Sequence, residues 1–195
     1  MRLRILLAIL LSLQTFIVLQ SASAAGAASV IVSVPEQKLY VFDESGRKIT
    51  SYRVSTSKFG LGDSRSSYAT PVGQLAVATK IGGGAEPGSV FRHCRRTGEI
   101  CPPNAPGRDP IVTRILCLRG LEQQNAHALS RGIFIHGTPD ERNIGRPASY
   151  GCIRMKSRDV VELFDKIAAG TRVEITTERV GGLFGSLPRI AAGRG

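Results

Sequence analysis

Two side chains in this chain have the makings of a thiol nucleophile and its base: Cys152 and His136, sixteen positions apart. His136 ends the apolar run Ile133-Phe134-Ile135 and is followed by Gly137-Thr138, while Cys152 lies in the turn Ser149-Tyr150-Gly151-Cys152-Ile153-Arg154. A cysteine is mostly protonated at neutral pH, with an ordinary pKa near about 8.5, and a neighbouring imidazolium lowers it and generates thiolate. Cys152 is therefore the candidate nucleophile and His136 the general base. Glycines at 137 and 151 allow close backbone approach, and the amides of Tyr150, Gly151 and Cys152 are candidate donors to a developing oxyanion. Arg154 presents a planar fork that suits either a substrate carboxylate or a structural ion pair. Ser149 either holds the turn or touches substrate, and Thr138 joins these two as a candidate substrate-binding residue. Asp140 and Glu141, in the intervening loop, are expected to face solvent. The plain alternative is a buried strand histidine and an unrelated structural cysteine.

The combination His-Gly-Thr followed by Ser-x-Gly-Cys-Ile-Arg-Met resembles the active-site signature of the L,D-transpeptidases (YkuD-type catalytic domain), which build and edit bacterial peptidoglycan. Thr70-Pro71-Val72-Gly73-Gln74-Leu75 is similar to the family's Thr-Pro-x-Gly-x-aromatic element, with Leu75 in the aromatic position. The resemblance is strongest from the active-site strand onward and weaker before it. It implies a mainly β, sandwich-like catalytic fold with one or two packed helices and no cofactor. It also implies a two-step acyl transfer. The cysteine attacks the third residue of a tetrapeptide stem, expels the terminal D-alanine, and passes the acyl group to an amine. A backbone carbonyl is expected to orient the histidine, and carbapenems to acylate the cysteine. Many relatives carry histidine where this chain has Tyr150, which puts any role of that second histidine in doubt. Water as acceptor would make an L,D-carboxypeptidase. A non-catalytic wall-binding module and a general cysteine protease are the other readings.

The elements that must position these residues are legible as patterns. Ser29–Val34, Lys38–Phe42 and Arg47–Ser55 read as a β-meander, with Asp43-Glu44-Ser45-Gly46 as turn chemistry. The polar stretch Thr56–Ala69 suits a mobile loop, and Pro71 and Gly73 fix a turn before a strand over Gln74–Ile81. Gly82-Gly83-Gly84 lacks the Gly-Lys-Ser/Thr of a nucleotide loop and reads as a flexible turn. Residues 85–110, rich in Gly, Pro and Arg, are expected to be a polar insertion near the site with no core of their own. Ile111–Leu118 is a further strand, and His127 a surface histidine. Ser157 is placed to cap a helix whose apolar face is Val160, Leu163, Phe164 and Ile167, ended by Gly170. Thr171–Ile175 closes the fold as a strand.

The N-terminus has the layout of a secretory signal peptide: Arg2 and Arg4, an apolar run from Ile5 to Leu19, then Ala22-Ser23-Ala24 as a cleavage site. Cleavage after Ala24 leaves a catalytic domain over 28–178 and a loose Gly-rich tail over 179–195, with no membrane-spanning segment. The 195 residues carry a formal charge of +11, and the chain stays strongly basic without Arg2 and Arg4. There is no Trp and no helix-turn-helix pattern, so nucleic acid is not the expected partner. Peptidoglycan stems, and an anionic envelope surface that attracts without specifying, are the partners expected of an exported protein in the periplasm or cell envelope. If Cys152 stays a thiol, Cys94, Cys101 and Cys117 remain. Cys94 and Cys101 flank a polar turn and could bridge, and Cys117 could pair with either. His93, Cys94 and Cys101 do not have the spacing of a zinc site.

Overall fold

The computed structural model describes residues 29–181. The signal-peptide reading, and the tail from residue 182 on, lie outside the described residues. Alternating apolar residues set the strands. In β1 (Ser29–Ser33) Val30 and Val32 are buried, and β2 (Lys38–Phe42) and β3 (Lys48–Arg53) continue from it as an antiparallel meander. The sheet then adds β4 (Gly73–Ile81), β5 (Ser89–Arg92), β6 (Arg95–Ile100), β7 (Ile111–Gly120), β8 (Phe134–Gly137), β9 (Ile153–Met155) and β10 (Arg172–Thr176). Their order is β3-β2-β1-β10-β4-β7-β5-β6, with β8 joined to β7 and β9 joined to β8. β10 closes the fold by running parallel to β1 and antiparallel to β4.

One face of this mainly β fold forms a common core. Val30, Leu39, Leu75, Leu116, Leu118, Ile135, Ile153, Met155 and Val173 all belong to one buried cluster. The helix α1 (Ser157–Lys166), the only α-helix of comparable length among the described residues, lays Val160, Leu163 and Phe164 into the same cluster, and packs on β7 and β8. Truncating Leu163 to Ala would cost about 2–5 kcal/mol. β7 is the pivot. Ile115 pairs with Ile81 of β4 and with His136 of β8, so the two neighbours occupy opposite edges of β7. The strand that carries the histidine is thus held by the most buried strand of the sheet.

Five expectations are corrected by this arrangement. Residues 85–110 are not a coreless insertion, because β5 and β6 extend the sheet and Val90, Phe91 and Cys101 are buried. The Thr56–Ala69 loop is anchored rather than free: Thr56, Ser57, Asp63 and Ala69 are buried, while the residues between them are mostly exposed. Ser157 does not cap α1. Lys156 holds the cap position, and the Ser157 hydroxyl bonds Thr113 Oγ1 at 2.8 Å while its amide donates to Glu141 Oε1 at 2.8 Å. Gly170 lies in the turn beyond the helix, which ends at Lys166. The end of the chain is also less loose than expected at its start, since Val180 is buried against Tyr40 and Phe42.

Candidate active site

β8 and β9 run parallel with Ile135 opposite Ile153 and His136 opposite Arg154. Ile135, Ile153 and Met155 face the core, so His136 and Arg154 share the other face, and Cys152, two residues before Arg154, falls on that face too. Diagonal neighbours on adjacent strands have Cβ atoms about 7–8 Å apart, a gap that two side chains can span. A histidine and a cysteine on opposite faces would have ended any joint chemistry. The register puts them on one.

The histidine is fixed by its own strand. Its Nδ1 lies 2.8 Å from the Gly137 carbonyl, which takes the Nδ1 proton and leaves Nε2 as the basic nitrogen. The carbonyl can come this close because Gly137 has no side chain. A Cβ there would stand 2.6 Å from the Val112 carbonyl oxygen and 3.1 Å from Thr113 Cβ. Burial drives His136 below its ordinary pKa, to about 4; the Gly137 carbonyl opposes the shift and Arg154 adds to it.

The cysteine turn is held from three sides. Ser149 is fully buried, donates from Oγ to the Cys152 carbonyl at 2.6 Å, and accepts the Gly151 amide at 3.2 Å. Thr70 Oγ1 donates to the Gly151 carbonyl at 2.9 Å and accepts the Ser57 amide, which ties the loop 57–70 to the turn. Gly151 sits at φ 118°, in left-handed backbone that excludes a side chain, and a Cβ would meet Ile133 at 3.1 Å. Its amide donates to Ser149 Oγ, so Gly151 supports the turn. Among the described residues, no side chain accepts a hydrogen bond from the Tyr150 or Cys152 amide.

Cys152 Sγ donates to the Gly132 carbonyl at 3.3 Å and accepts the Phe134 amide at 3.4 Å. It opens into a cleft of about 360 Å³ lined by Arg65, Tyr68, Arg131, Gly132, Ile133 and Tyr150, among others. Part of its surface faces this cleft, yet protein packs closely round the sulfur, and that burial pushes the thiol up to about 11. The Phe134 amide, Arg154 and Arg131 pull the other way and do not prevail. Burial thus favours the neutral thiol and the neutral imidazole over a resting thiolate–imidazolium pair.

Arg154 is 8% exposed and forms an ion pair from Nη2 to Asp109 Oδ2 at 2.5 Å, with Asp140 3.9 Å from Nη1. Of its two sequence readings, the structural ion pair prevails. Thr138 is buried and donates to the other oxygen of Asp109 at 2.5 Å, so it too is a scaffold residue. Asp140 and Glu141 do not simply face solvent: Asp140 approaches Arg154, and Glu141 accepts the first amide of α1. Tyr150 is 54% exposed and meets Phe59 and Tyr68 at ring-centroid distances of 5.2 and 5.7 Å, with Lys58 Nζ 4.5 Å above its ring.

The sequence missed Arg131 and Asp63. Arg131 bonds Asp63 Oδ1 and the carbonyls of Gly62, Ser67 and Ala69, clamping the loop that roofs the cleft. Asp63 also accepts the His127 amide at 2.6 Å, which places His127 in this clamp and not in the site. An arginine one glycine ahead of an apolar run was the available signal.

Comparison with known proteins agrees with this geometry. Residues 27–175 match the L,D-transpeptidase catalytic domain, YkuD. The chain is 24% identical over 151 residues to the probable L,D-transpeptidase ErfK/SrfK of Escherichia coli, covering 77% of this chain and 44% of that protein. It is 44% identical over 52 residues to the probable L,D-transpeptidase YbiS of Escherichia coli, covering 27% of this chain and 17% of that protein. The chain thus spans less than half the length of these curated relatives. Among solved structures, L,D-transpeptidase 3 from Mycobacterium tuberculosis, in complex with a faropenem-derived adduct, aligns with a TM-score of 0.50 at 18% identity, covering 77% of this chain and 60% of that one. With the domain match running over most of the described strands, and a Cys/His face arranged as the signature requires, this chain belongs to the L,D-transpeptidase (YkuD) catalytic-domain family.

Proposed function

We propose that this protein is a cysteine-dependent peptidoglycan L,D-transpeptidase of the bacterial cell envelope. The observation that carries the reading is the placement of Cys152 at the cleft, on the same sheet face as a histidine whose Nδ1 is tied back to Gly137. A tetrapeptide stem enters the cleft between Tyr68 and Tyr150. As Cys152 Sγ attacks the carbonyl of the third residue, its proton passes to His136 Nε2, and the oxyanion takes the amides of Cys152 and Tyr150. His136 then protonates the departing D-alanine amine, leaving a thioester. An amine of a second stem attacks that thioester, gives its proton to His136, and the sulfur leaves and is reprotonated.

The stem is anionic and needs a cation. Arg154 is committed to Asp109, so the exposed Arg65 at the cleft and Lys58 above Tyr150 take that part. Export by the N-terminal segment puts the enzyme where stems are found.

Incubation with a carbapenem, followed by intact-mass measurement, tests the reading. The expected result is one covalent adduct on the wild type and none on Cys152→Ala. A wild-type protein with a demonstrably reduced Cys152 and no adduct would overturn it.

A further inference from the structure

The four cysteines are free thiols in the structure, but two of them are not placed as independent residues. Cys94 and Cys101 are close in sequence and separate in space. Cys101 belongs to a cluster with Val90 and Val112, whereas Cys94 packs into another with Phe91, Ile115, Cys117 and Phe134. Cys94 reaches its cluster through the two-residue turn between β5 and β6. His93 has φ 49° and Cys94 φ 62°, left-handed backbone at both central positions of a hairpin turn, where Gly or Asn is usual. That unfavourable backbone seats Cys94 in the same apolar cluster as Cys117 of β7. Cys94 is half-buried, so an oxidant can reach it, while Cys117 is buried behind it.

We propose that Cys94 and Cys117 are joined by a disulfide in the working protein, leaving Cys101 and Cys152 as thiols. The oxidant is a disulfide, either of low molecular weight or of an exporting compartment's thiol oxidase. Cys94, as thiolate, attacks one sulfur of that disulfide and displaces the other as a thiol. Cys117, losing its proton to solvent, then displaces the second thiol from Cys94. Two protein thiols become one disulfide, and one oxidant disulfide becomes two thiols.

The cross-link has a consequence for the nucleophile. Cys117 pairs with Phe134, whose amide donates to Cys152 Sγ, so Cys117 lies one strand from the nucleophile. Locked to Cys94, it can no longer capture an oxidised Cys152. It also ties the β5–β6 hairpin to β7, the strand on which β8 and His136 are aligned.

The test needs no knowledge of activity. Reduced full-length protein is treated with excess glutathione disulfide, its remaining thiols are alkylated in denaturant without reductant, and it is digested with trypsin. An arginine lies between each successive pair of cysteines, so every cysteine falls in its own peptide. The expected product is His93–Arg95 linked to Ile115–Arg119, with alkylated Cys101 and Cys152. Four alkylated cysteines, a Cys94–Cys101 bridge, or any bridge to Cys152 would overturn the proposal. Reduction by a phosphine should lower the Tm of the oxidised wild type by about 5–10 °C and leave Cys94→Ser unmoved. A Tm indifferent to reduction in the wild type would equally overturn it.

Discussion

Arg131 and Asp63 form a buried ion pair at 2.5 Å, with side chains 4% and 3% exposed, and it fastens the loop 57–70 to the residue just ahead of the active strand. Breaking one half of a buried pair leaves the other charge unpaired, at a cost of about 3–5 kcal/mol. Arg131 also bonds three carbonyls of that loop, so the loss would fall on the roof of the cleft. Arg131→Met is expected to lower the Tm by about 6–15 °C and to expose the loop to proteolysis between Gly60 and Tyr68. Thermal unfolding and limited proteolysis check this. An unchanged Tm would mean that the clamp is not structural.

The Asp109–Arg154 pair separates two readings of cation use. If Arg154 serves structure and Arg65 meets substrate, the two arginines should fail differently. Arg65→Gln should raise KM about tenfold for a stem with free carboxylates, one hydrogen-bonded charge pair being worth about 1.4 kcal/mol, and leave KM for an amidated stem alone. Arg154→Gln should cost stability, by about 3–5 kcal/mol, with no such dependence on substrate charge. Equal KM effects of Arg65→Gln on both stems would remove Arg65 from recognition.

Much of the fold was legible because the strands alternate cleanly: Lys38–Phe42 was read to the residue, and the meander, β7 and the apolar stripe of α1 within one or two positions. Cys152 and His136 stood out because chemistry restricts those residue types so severely. What escaped were partners set by long-range packing. Nothing local marks Asp109 as the partner of Arg154, 45 positions on, or Asp63 as that of Arg131. Residues 85–110 were misread because β6 is exposed along its whole length and the apolar residues that seat the hairpin are few. Ser157 has the composition of a cap, but Thr113 and Glu141 claim its groups.

The ionisation of the site sets a pH signature. Folding buries His136 as the neutral base with its pKa lowered from 6.5 to about 4. Its contribution is fully present above pH 6.5, is lost as pH falls from there towards 4, and amounts to about 3 kcal/mol. Cys152 moves the other way, from 9.0 to about 11, so its contribution holds below pH 9 and fades between 9 and 11. Denaturant unfolding should give a stability plateau between those windows. Alkylation of Cys152 by iodoacetamide, in the absence of substrate, should keep accelerating above pH 9. A rate that levels off below pH 8 would mean a preformed thiolate and would sink the neutral-pair mechanism.

Gly137 is where backbone geometry and chemistry meet. Its missing side chain lets β8 lie against β7, and its carbonyl holds His136 Nδ1. In Gly137→Ala the new methyl would need to occupy space 2.6 Å from a main-chain oxygen of Val112, and 3.2 Å from Val160 of α1. Backbone atoms of a central strand cannot yield that distance, so β8 must shift, carrying the carbonyl away from the imidazole. The tautomer is then no longer fixed, and kcat should fall by about 10–100-fold, in line with the loss of a partner that orients a functional histidine. Cys152, held by Ser149, Thr70 and Gly132, keeps its place, so its alkylation rate should change less than twofold. That split between turnover and thiol reactivity distinguishes a displaced base from a collapsed site; a parallel loss of both would refute the assignment of Gly137 as the residue that positions His136.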